Sequence, residues 1–386
     1  MPASLSRGYR CPIAGFRACR DILLKPMQPL VLITHTKWTE APRIRHQVAR
    51  LLAAAGHRVI FLERPEAPWA AERQPHEVEP GITVVPCRQL LHHQLRVVPA
   101  MHRLNAAYVV RDLRRAARSV GIADPARIIN FAHDYWFLRD VFPSSRITTL
   151  IHDDFEAQSR LPFRGHITWS LERTCRMSDR VLAVSTRLQR RLSAWHETEL
   201  FLPWAVDPYR APVTGVRRDT LLFWGFVDTA LDTDLLRELS RHLTVTRPDW
   251  RIMLVGPTQS RRRARVTRPF RDLANISVHE ATPLDRLPLD RVMAALLPYR
   301  STPSCNAVTL ANKSMQLLAR GLPLLISAMP EFVQQPFVIR LDGEGGFEPA
   351  LAACERGFAS LQPSIAAYLG VNDPASRLRQ LDVGPG

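Results

Sequence analysis

Residues 296–323 read LLPYRSTPSCNAVTLANKSMQLLARGLP, and this stretch decides the fold. An apolar run ends at Pro298-Tyr299-Arg300 and a polar loop follows. A helix is then expected to open at Asn312-Lys313 and to close at Gly321. A buried strand feeding a helix in this way is one unit of a parallel α/β sheet. The cation at the helix start is a specific choice for this chain. Its 52 basic residues comprise 49 arginines and three lysines, Lys25, Lys37 and Lys313. The first turn of a helix presents unbonded N–H groups and partial positive charge, which suits it to phosphate. A compact ammonium there adds a point charge that can follow a diphosphate. The plain alternative is a solvated lysine on a surface helix.

Outward from this unit the same alternation recurs. In the first half, 30–34 (LVLIT) reads as a buried parallel strand, 43–55 as a helix ended by Gly56, and 58–63 (RVIFLE) as the next strand. Strands at 82–86, 127–131, 147–152 and 180–185 follow, with helices at 104–120 and 168–177. In the second half, strands are expected at 221–225, 251–255, 276–279, 291–298 and 324–327, with a helix at 233–244. A helix-like stretch lies near 363–369. Residues 203–219 (PWAVDPYRAPVTGVRRD) carry three prolines between the two series, so the linker is placed there. The expected organisation is a basic N-terminal extension over 1–27, a first α/β domain over 28–202 and the linker. A second α/β domain over 220–345 and a helical tail over 346–386 complete it.

At 386 residues the chain is long enough for two domains of ordinary size, and 46% hydrophobic residues is usual for a globular protein. No run of about 18 apolar residues occurs, so no transmembrane helix is expected. A formal charge of +16 implies an anionic partner: a nucleotide, a phospholipid surface or nucleic acid. Six cysteines, at 11, 19, 87, 175, 305 and 354, lack CxxC or metal spacing and read as reduced thiols. Residues 1–27 lack the continuous apolar core of a signal peptide. They read either as a basic, disordered or membrane-touching extension or as sequence ahead of a true start at Met27.

The quoted stretch resembles the nucleotide-sugar site of GT-B glycosyltransferases, in the branch related to teichuronic-acid and GT4-type enzymes. Their second domain carries PYR, a polar loop, then P-x-K-x-x-E-Y-x-A-x-G-x-P-V. Lys313, Ala319, Gly321 and Pro323 fall in register with it, while the family's Glu is Gln316 here. RVLAVSTRLQRRL (180–192) is similar to the family's V-x-x-V-S-x-x-L segment, and Leu202-Pro203-Trp204-Ala205-Val206-Asp207 stands where the family writes P-N-G-V-D. Pro248-Asp249-Trp250 followed by MLVGP resembles P-D-W-x-x-x-L-x-G-P. The resemblance implies an α/β fold of the GT-B type, two Rossmann-like domains facing a central cleft. It implies a nucleotide-sugar donor held by Arg300, Asn306, Asn312, Lys313, Gln316 and Gly256, with no metal site and no cofactor. It further implies a glycan or lipid-linked acceptor, a role in bacterial surface polysaccharide or glycolipid synthesis, and a cytoplasmic protein peripheral to the inner face of the plasma membrane.

Sugar transfer also needs groups that place and deprotonate an acceptor hydroxyl. His133-Asp134 follows one expected strand and His152-Asp153-Asp154 another, both at the carboxyl ends that face the cleft of an open α/β sheet. His133, Asp134 and Asp153 are the candidate catalytic residues, with helix capping the alternative for Asp153. Lys37, in the loop 35–40, is a candidate substrate contact at the same edge. Arg103, Arg111, Arg114, Arg115 and Arg118 share a helix with Leu104, Val109, Val110 and Leu113. That helix would seat the protein on anionic headgroups or present a solvated face over a core stripe. The arginine run at 261–265 reads as a solvated loop, and no RNA-recognition or finger signature argues for nucleic acid. The rival readings are an epimerase or phosphorylase on the same fold, for which no cofactor lysine context is visible, and a degenerate GT-B protein that binds without transfer. Gln316 and the altered 203–207 loop motivate the second.

Overall fold

The structure, a computed structural model, describes residues 29–40, 43–70, 73–91, 98–158, 163–257 and 267–383. The N-terminal extension and the arginine run at 261–265 lie outside the described residues. Among the described residues fourteen strands form two sheets. The first holds β1 (Leu30–Ile33), β2 (Val59–Leu62), β3 (His76–Glu79), β4 (Ile82–Val85), β5 (Arg127–Asn130), β6 (Arg146–Ile151), β7 (Arg180–Ala183) and β8 (Thr198–Leu200). The second holds β9 (Thr220–Trp224), β10 (Arg251–Val255), β11 (Ile276–His279), β12 (Val292–Pro298), β13 (Leu324–Ser327) and β14 (Val338–Arg340).

The first sheet runs β3-β4-β2-β1-β5-β6-β7-β8, parallel except for β3 against β4; the second runs β11-β10-β9-β12-β13-β14 and is parallel throughout. Parallel strands buried on both faces need apolar residues on both, and these strands supply them. Leu30 and Leu32 pack into one core cluster while Val31 and Ile33 pack into the cluster on the opposite face. In the second sheet Leu222 and Leu297 face one cluster, and Leu221, Phe223 and Leu296 the other. In each sheet the strand order reverses beside its first strand, between β1 and β5 and between β9 and β12. Those two crevices are where loops from neighbouring strands diverge and leave room for a ligand.

The expected strands are found within a residue or two. The short edge strands β3, β8 and β14 are additions, three or four residues long and weak as sequence signals. Helices begin earlier than expected: Pro99–Arg118 starts with proline in its first turn, and Arg164–Met177 includes a first turn with little apolar periodicity. The helix expected near 363–369 is the end of a 25-residue helix, Phe347–Val371, that carries Pro363 inside it. Proline in mid-sequence was the stop signal that hid the first half of this helix.

The chain then returns to the first sheet. Leu381 and Val383 join the core cluster of Leu30 and Leu32, Gln380 Nε2 donates to the Leu200 carbonyl at 2.9 Å, and Asp382 pairs with Arg127 at 3.0 Å. At the carboxyl ends of the strands the two halves meet directly. The Thr186 N–H donates to Thr309 Oγ1 at 2.9 Å, the Thr186 hydroxyl donates to Glu331 at 2.8 Å, and Arg190 pairs with Glu331 at 2.6 Å.

Candidate active site

In the second half, the crevice between β9 and β12 is built by an apolar strand end, two glycines and a lysine. Lys313 sits at the second position of the Asn312–Leu318 helix, whose inward face is Ser314, Met315, Leu317 and Leu318. Its ammonium lies 4.3 Å from the centre of the Phe223 ring and 5.1 Å from that of Tyr299, and it donates to the Tyr299 hydroxyl. The residue as a whole is half-buried, and its charged end lies against these two rings. Burial pushes its pKa down to about 8, opposed only by the charge of Asp228. Burial also holds the Tyr299 phenol well above its usual range, so Tyr299 stays neutral.

The space for this ammonium exists because residue 225 is glycine: a Cβ there would fall on Lys313 Nζ. Gly256, at the end of the adjacent β10, is placed against the Gly225 carbonyl so closely that a Cβ at 256 would overlap that backbone. The Gly225 N–H donates to the Val255 carbonyl at 2.9 Å, which carries the ladder to the rim. Two glycine backbones thus form the floor beneath the ammonium.

The remaining expected donor residues divide. Asn312 Oδ1 is buried and has no hydrogen-bond partner among the described residues, one position from the lysine. Gln316, one turn on, is partly exposed. Asn306 bonds Ser301 Oγ at 3.0 Å. Arg300 turns to the neighbouring loop, donating to the Leu231 carbonyl at 2.9 Å and to Thr233 Oγ1 at 2.8 Å. It anchors residues 228–233, the loop that holds Asp228. Tyr299 and Phe223, the residues that enclose the ammonium, were not singled out from sequence, although Tyr299 stands within the PYR signature itself.

The first half has its own constellation at the crevice between β1 and β5. His35, just after β1, places Nε2 at 2.7 Å from Asp134 Oδ1, just after β5. Asp134 is 3% exposed, so its charge is satisfied inside the protein rather than by water. The Asp134 carbonyl accepts from His102 Nε2 at 3.2 Å. With His102 Nε2 donating, its Nδ1 is placed to accept from His166 Nε2 at 2.8 Å. Burial, with His102 and Arg103 beside it, lowers the His166 pKa.

His133 lies next to this pair, its ring 6.4 Å from that of His35 and stacked at 3.9 Å on Phe155. Asp153 accepts from the Asp154 N–H at 3.0 Å, a local bond of the loop after β6. His152 takes a hydrogen bond from the buried Arg45, and burial plus that charge holds its pKa well below the usual value. His152 is therefore a fixed neutral acceptor. Lys37 is committed to Glu66, which Arg73 also holds at 2.9 Å. The structure thus brings His133 and Asp134 together, adds His35, and sets Asp153 in the next loop. His35 had been read only as the first residue of a cleft-facing loop; its pairing with Asp134 joins residues 99 positions apart.

Trp204, which replaces the family's Asn, is 4% exposed and packs edge-on against Phe201 at 5.9 Å in the core of the first sheet. Trp204 is thereby a packing residue of this altered segment, in which Val206 is exposed. Among the described residues no group of His, Cys, Asp and Glu is arranged to hold a metal ion, and no helix is long and apolar enough to cross a membrane.

No protein-family model and no curated protein matches the sequence. Solved structures do match. Sucrose-phosphate synthase from Thermosynechococcus elongatus is 16% identical with a TM-score of 0.60, covering 92% of this chain and 95% of that one. The trehalose-phosphate synthase (UDP-forming) of Burkholderia vietnamiensis is 12% identical with a TM-score of 0.63, covering 92% and 100%. Anabaena HepE in complex with UDP and glucose is 10% identical with a TM-score of 0.59, covering 92% and 98%. At such identities the likeness is one of fold. The chain has the GT-B fold, two sheets dominated by parallel strands.

Proposed function

We propose that this protein transfers a sugar from a nucleotide-sugar donor to a glycan or lipid-linked acceptor, in the manner of the GT4-like and teichuronic-acid enzymes its sequence resembles. The observation that carries the reading is the Lys313 ammonium. It is enclosed by Phe223 and Tyr299 at the crevice of the second sheet, and no carboxylate pairs with it among the described residues. A cation desolvated in this way is poorly satisfied by the protein alone and gains most from an incoming anion. The bare backbone of Gly225 gives the ammonium its place at this crevice. The matched HepE structure contains UDP and glucose, which supports a nucleotide diphosphate as the ligand class.

In the proposed step the acceptor oxygen forms a bond to the anomeric carbon as the bond from that carbon to the diphosphate oxygen breaks. The bonding pair leaves on the nucleoside diphosphate, where Lys313 and Asn312 meet the developing charge. The acceptor proton passes to a group of the first half, for which His133, Asp134 and the His35 beside it are the candidates, with Asp153 in the adjoining loop. A lysine takes the charge-neutralising duty a metal would otherwise serve, so the proposed transfer is metal-independent. The setting it fits is bacterial surface polysaccharide or glycolipid synthesis on the cytoplasmic side of the membrane.

A thermal-shift panel of UDP-, GDP-, ADP- and dTDP-sugars, each with and without a chelator, tests the reading. One nucleotide should raise the melting temperature selectively, in both conditions. No response to any of them would remove the donor site, and a response abolished by the chelator would remove metal independence.

A further inference from the structure

At the carboxyl edge of the first sheet, the loops after β1, β2 and β4 are tied into one rim. The Arg64 N–H donates to the Thr36 carbonyl at 3.1 Å, the Glu66 N–H to the Cys87 carbonyl at 2.9 Å, and the Gln89 N–H to the Glu66 carbonyl at 2.7 Å. On this rim Ala67-Pro68-Trp69-Ala70 makes a turn, closed by the Ala70 N–H on the Ala67 carbonyl at 2.9 Å. Proline at the second position of a turn presets the backbone, so the residue after it is held in place. That residue is Trp69, which is 81% accessible and has no ring partner among the described residues. A single exposed apolar side chain is ordinary on a protein surface. Trp69 stands apart because of what lies beside it.

Next to the turn a cavity with room for about one water-sized group opens, walled by Glu66, Ala70, Arg73, Cys87, Arg88 and Arg115. The carboxylates around it are all paired. Glu66 holds Lys37 and, at 2.9 Å, Arg73, which also reaches the buried Glu63 at 2.5 Å. Asp112 holds Arg115 at 2.8 Å and accepts from the Arg88 N–H at 2.5 Å. The hydrogen bond from Lys37 keeps the Glu66 pKa below its usual value, so this carboxylate stays an acceptor. Paired ions present donors and acceptors together with little net charge. Such a wall suits a hydroxyl, which donates and accepts at once, better than a free anion.

We propose that Trp69 and this cavity form a subsite for a neutral pyranose sugar, whose C–H face lies on the indole while one hydroxyl enters the cavity beside Glu66. A broad apolar face with a few directed polar groups next to it is the general make-up of a small-ligand site. Its position fits a longer substrate. The sheet order places β4 two strands from β1, so the cavity lies roughly 10 Å along the edge from the loop that carries His35. That is the scale of a short saccharide, and the subsite would hold a sugar residue behind the one whose hydroxyl reacts. Calling the bound sugar part of the acceptor rests on the glycosyl-transfer reading; the binding itself does not.

Saturation-transfer NMR on the full chain, without nucleotide, tests it. The probes are the methyl glycosides of glucose, galactose, mannose, N-acetylglucosamine and glucuronic acid, with sorbitol as a polyol that has no ring. At least one neutral glycoside should receive saturation, strongest at its ring C–H protons, and sorbitol should receive none. Trp69→Ala should weaken that glycoside about tenfold, with partial retention in Trp69→Phe. Glu66→Gln should weaken it about fivefold. Val245→Ser, at an exposed position of the second half, should bind as wild type does. Melting temperatures near wild type show that the variants fold, as expected for a side chain as exposed as Trp69. No transfer to any neutral glycoside, undiminished transfer in Trp69→Ala, or preference for the glucuronide over every neutral sugar would overturn the proposal. The nucleotide response is measured separately, so failure of the donor site and failure of this subsite are told apart.

Discussion

The Lys313 ammonium occupies the place that a side chain at residue 225 would need. A glycine and a lysine 88 positions apart are therefore one feature: the strand end is bare so that the charge can sit over it. The two glycines of this floor predict different outcomes. Gly225→Ala meets the far end of a flexible side chain, so the protein should fold, at a cost of about 1–3 kcal/mol from an unfavourable backbone conformation. It should lose donor affinity because Lys313 is displaced. Gly256→Ala meets the Gly225 backbone, which cannot swing aside, and should be the more destabilising of the two. Chemical denaturation of both variants checks the order.

The pH response of the site follows from the Lys313 pKa of about 8. Donor affinity should be level below that value and fall as pH rises through it, since the neutral amine no longer attracts the diphosphate. Stability should move the other way. Burial gives the folded state a lower pKa than the ordinary lysine value of 10.5, so the unfolded chain binds more protons between about 8 and 10.5. The contribution of this group to stability therefore rises with pH across that window. Lys313→Met should remove both effects: donor affinity low at every pH, and a melting temperature at or above wild type at neutral pH.

His35 and Asp134 predict a kinetic signature. If the pair receives or directs the acceptor proton, Asp134→Asn and His35→Gln should each lower kcat by about 10²–10⁴ while donor binding stays intact. Equal loss in donor affinity and in kcat would instead mark the pair as structural.

Trp204→Asn restores the residue the resembling family writes and should not help this protein. The indole is buried beside Phe201, and its removal should destabilise by about 3 kcal/mol or more, measured by urea unfolding.

Much of the fold was legible because parallel strands buried on both faces write themselves as unbroken apolar runs, as in Leu30–Ile33 and Val292–Pro298. The Lys313 neighbourhood was legible because strand end, polar loop and helix start are consecutive in sequence. What escaped is what depends on distance along the chain. The His35–Asp134 bond requires β1 and β5 to be neighbours, which strand order decides and local pattern does not. Arg300 read as a phosphate ligand from its place in the motif, yet its fork is matched by the Leu231 carbonyl and the Thr233 hydroxyl of a loop some 70 residues earlier.

The central claim, that Lys313 is the diphosphate contact, is tested most directly by calorimetric titration of wild type and Lys313→Ala. The ligands are the nucleoside diphosphate selected by the donor panel and the same nucleoside without phosphates. The account predicts that Lys313→Ala loses about 1.5–3 kcal/mol, one to two decades, toward the diphosphate. It predicts little change toward the nucleoside, and only partial rescue by Lys313→Arg. Wild-type diphosphate affinity in Lys313→Ala, or an equal loss toward both ligands, would contradict it.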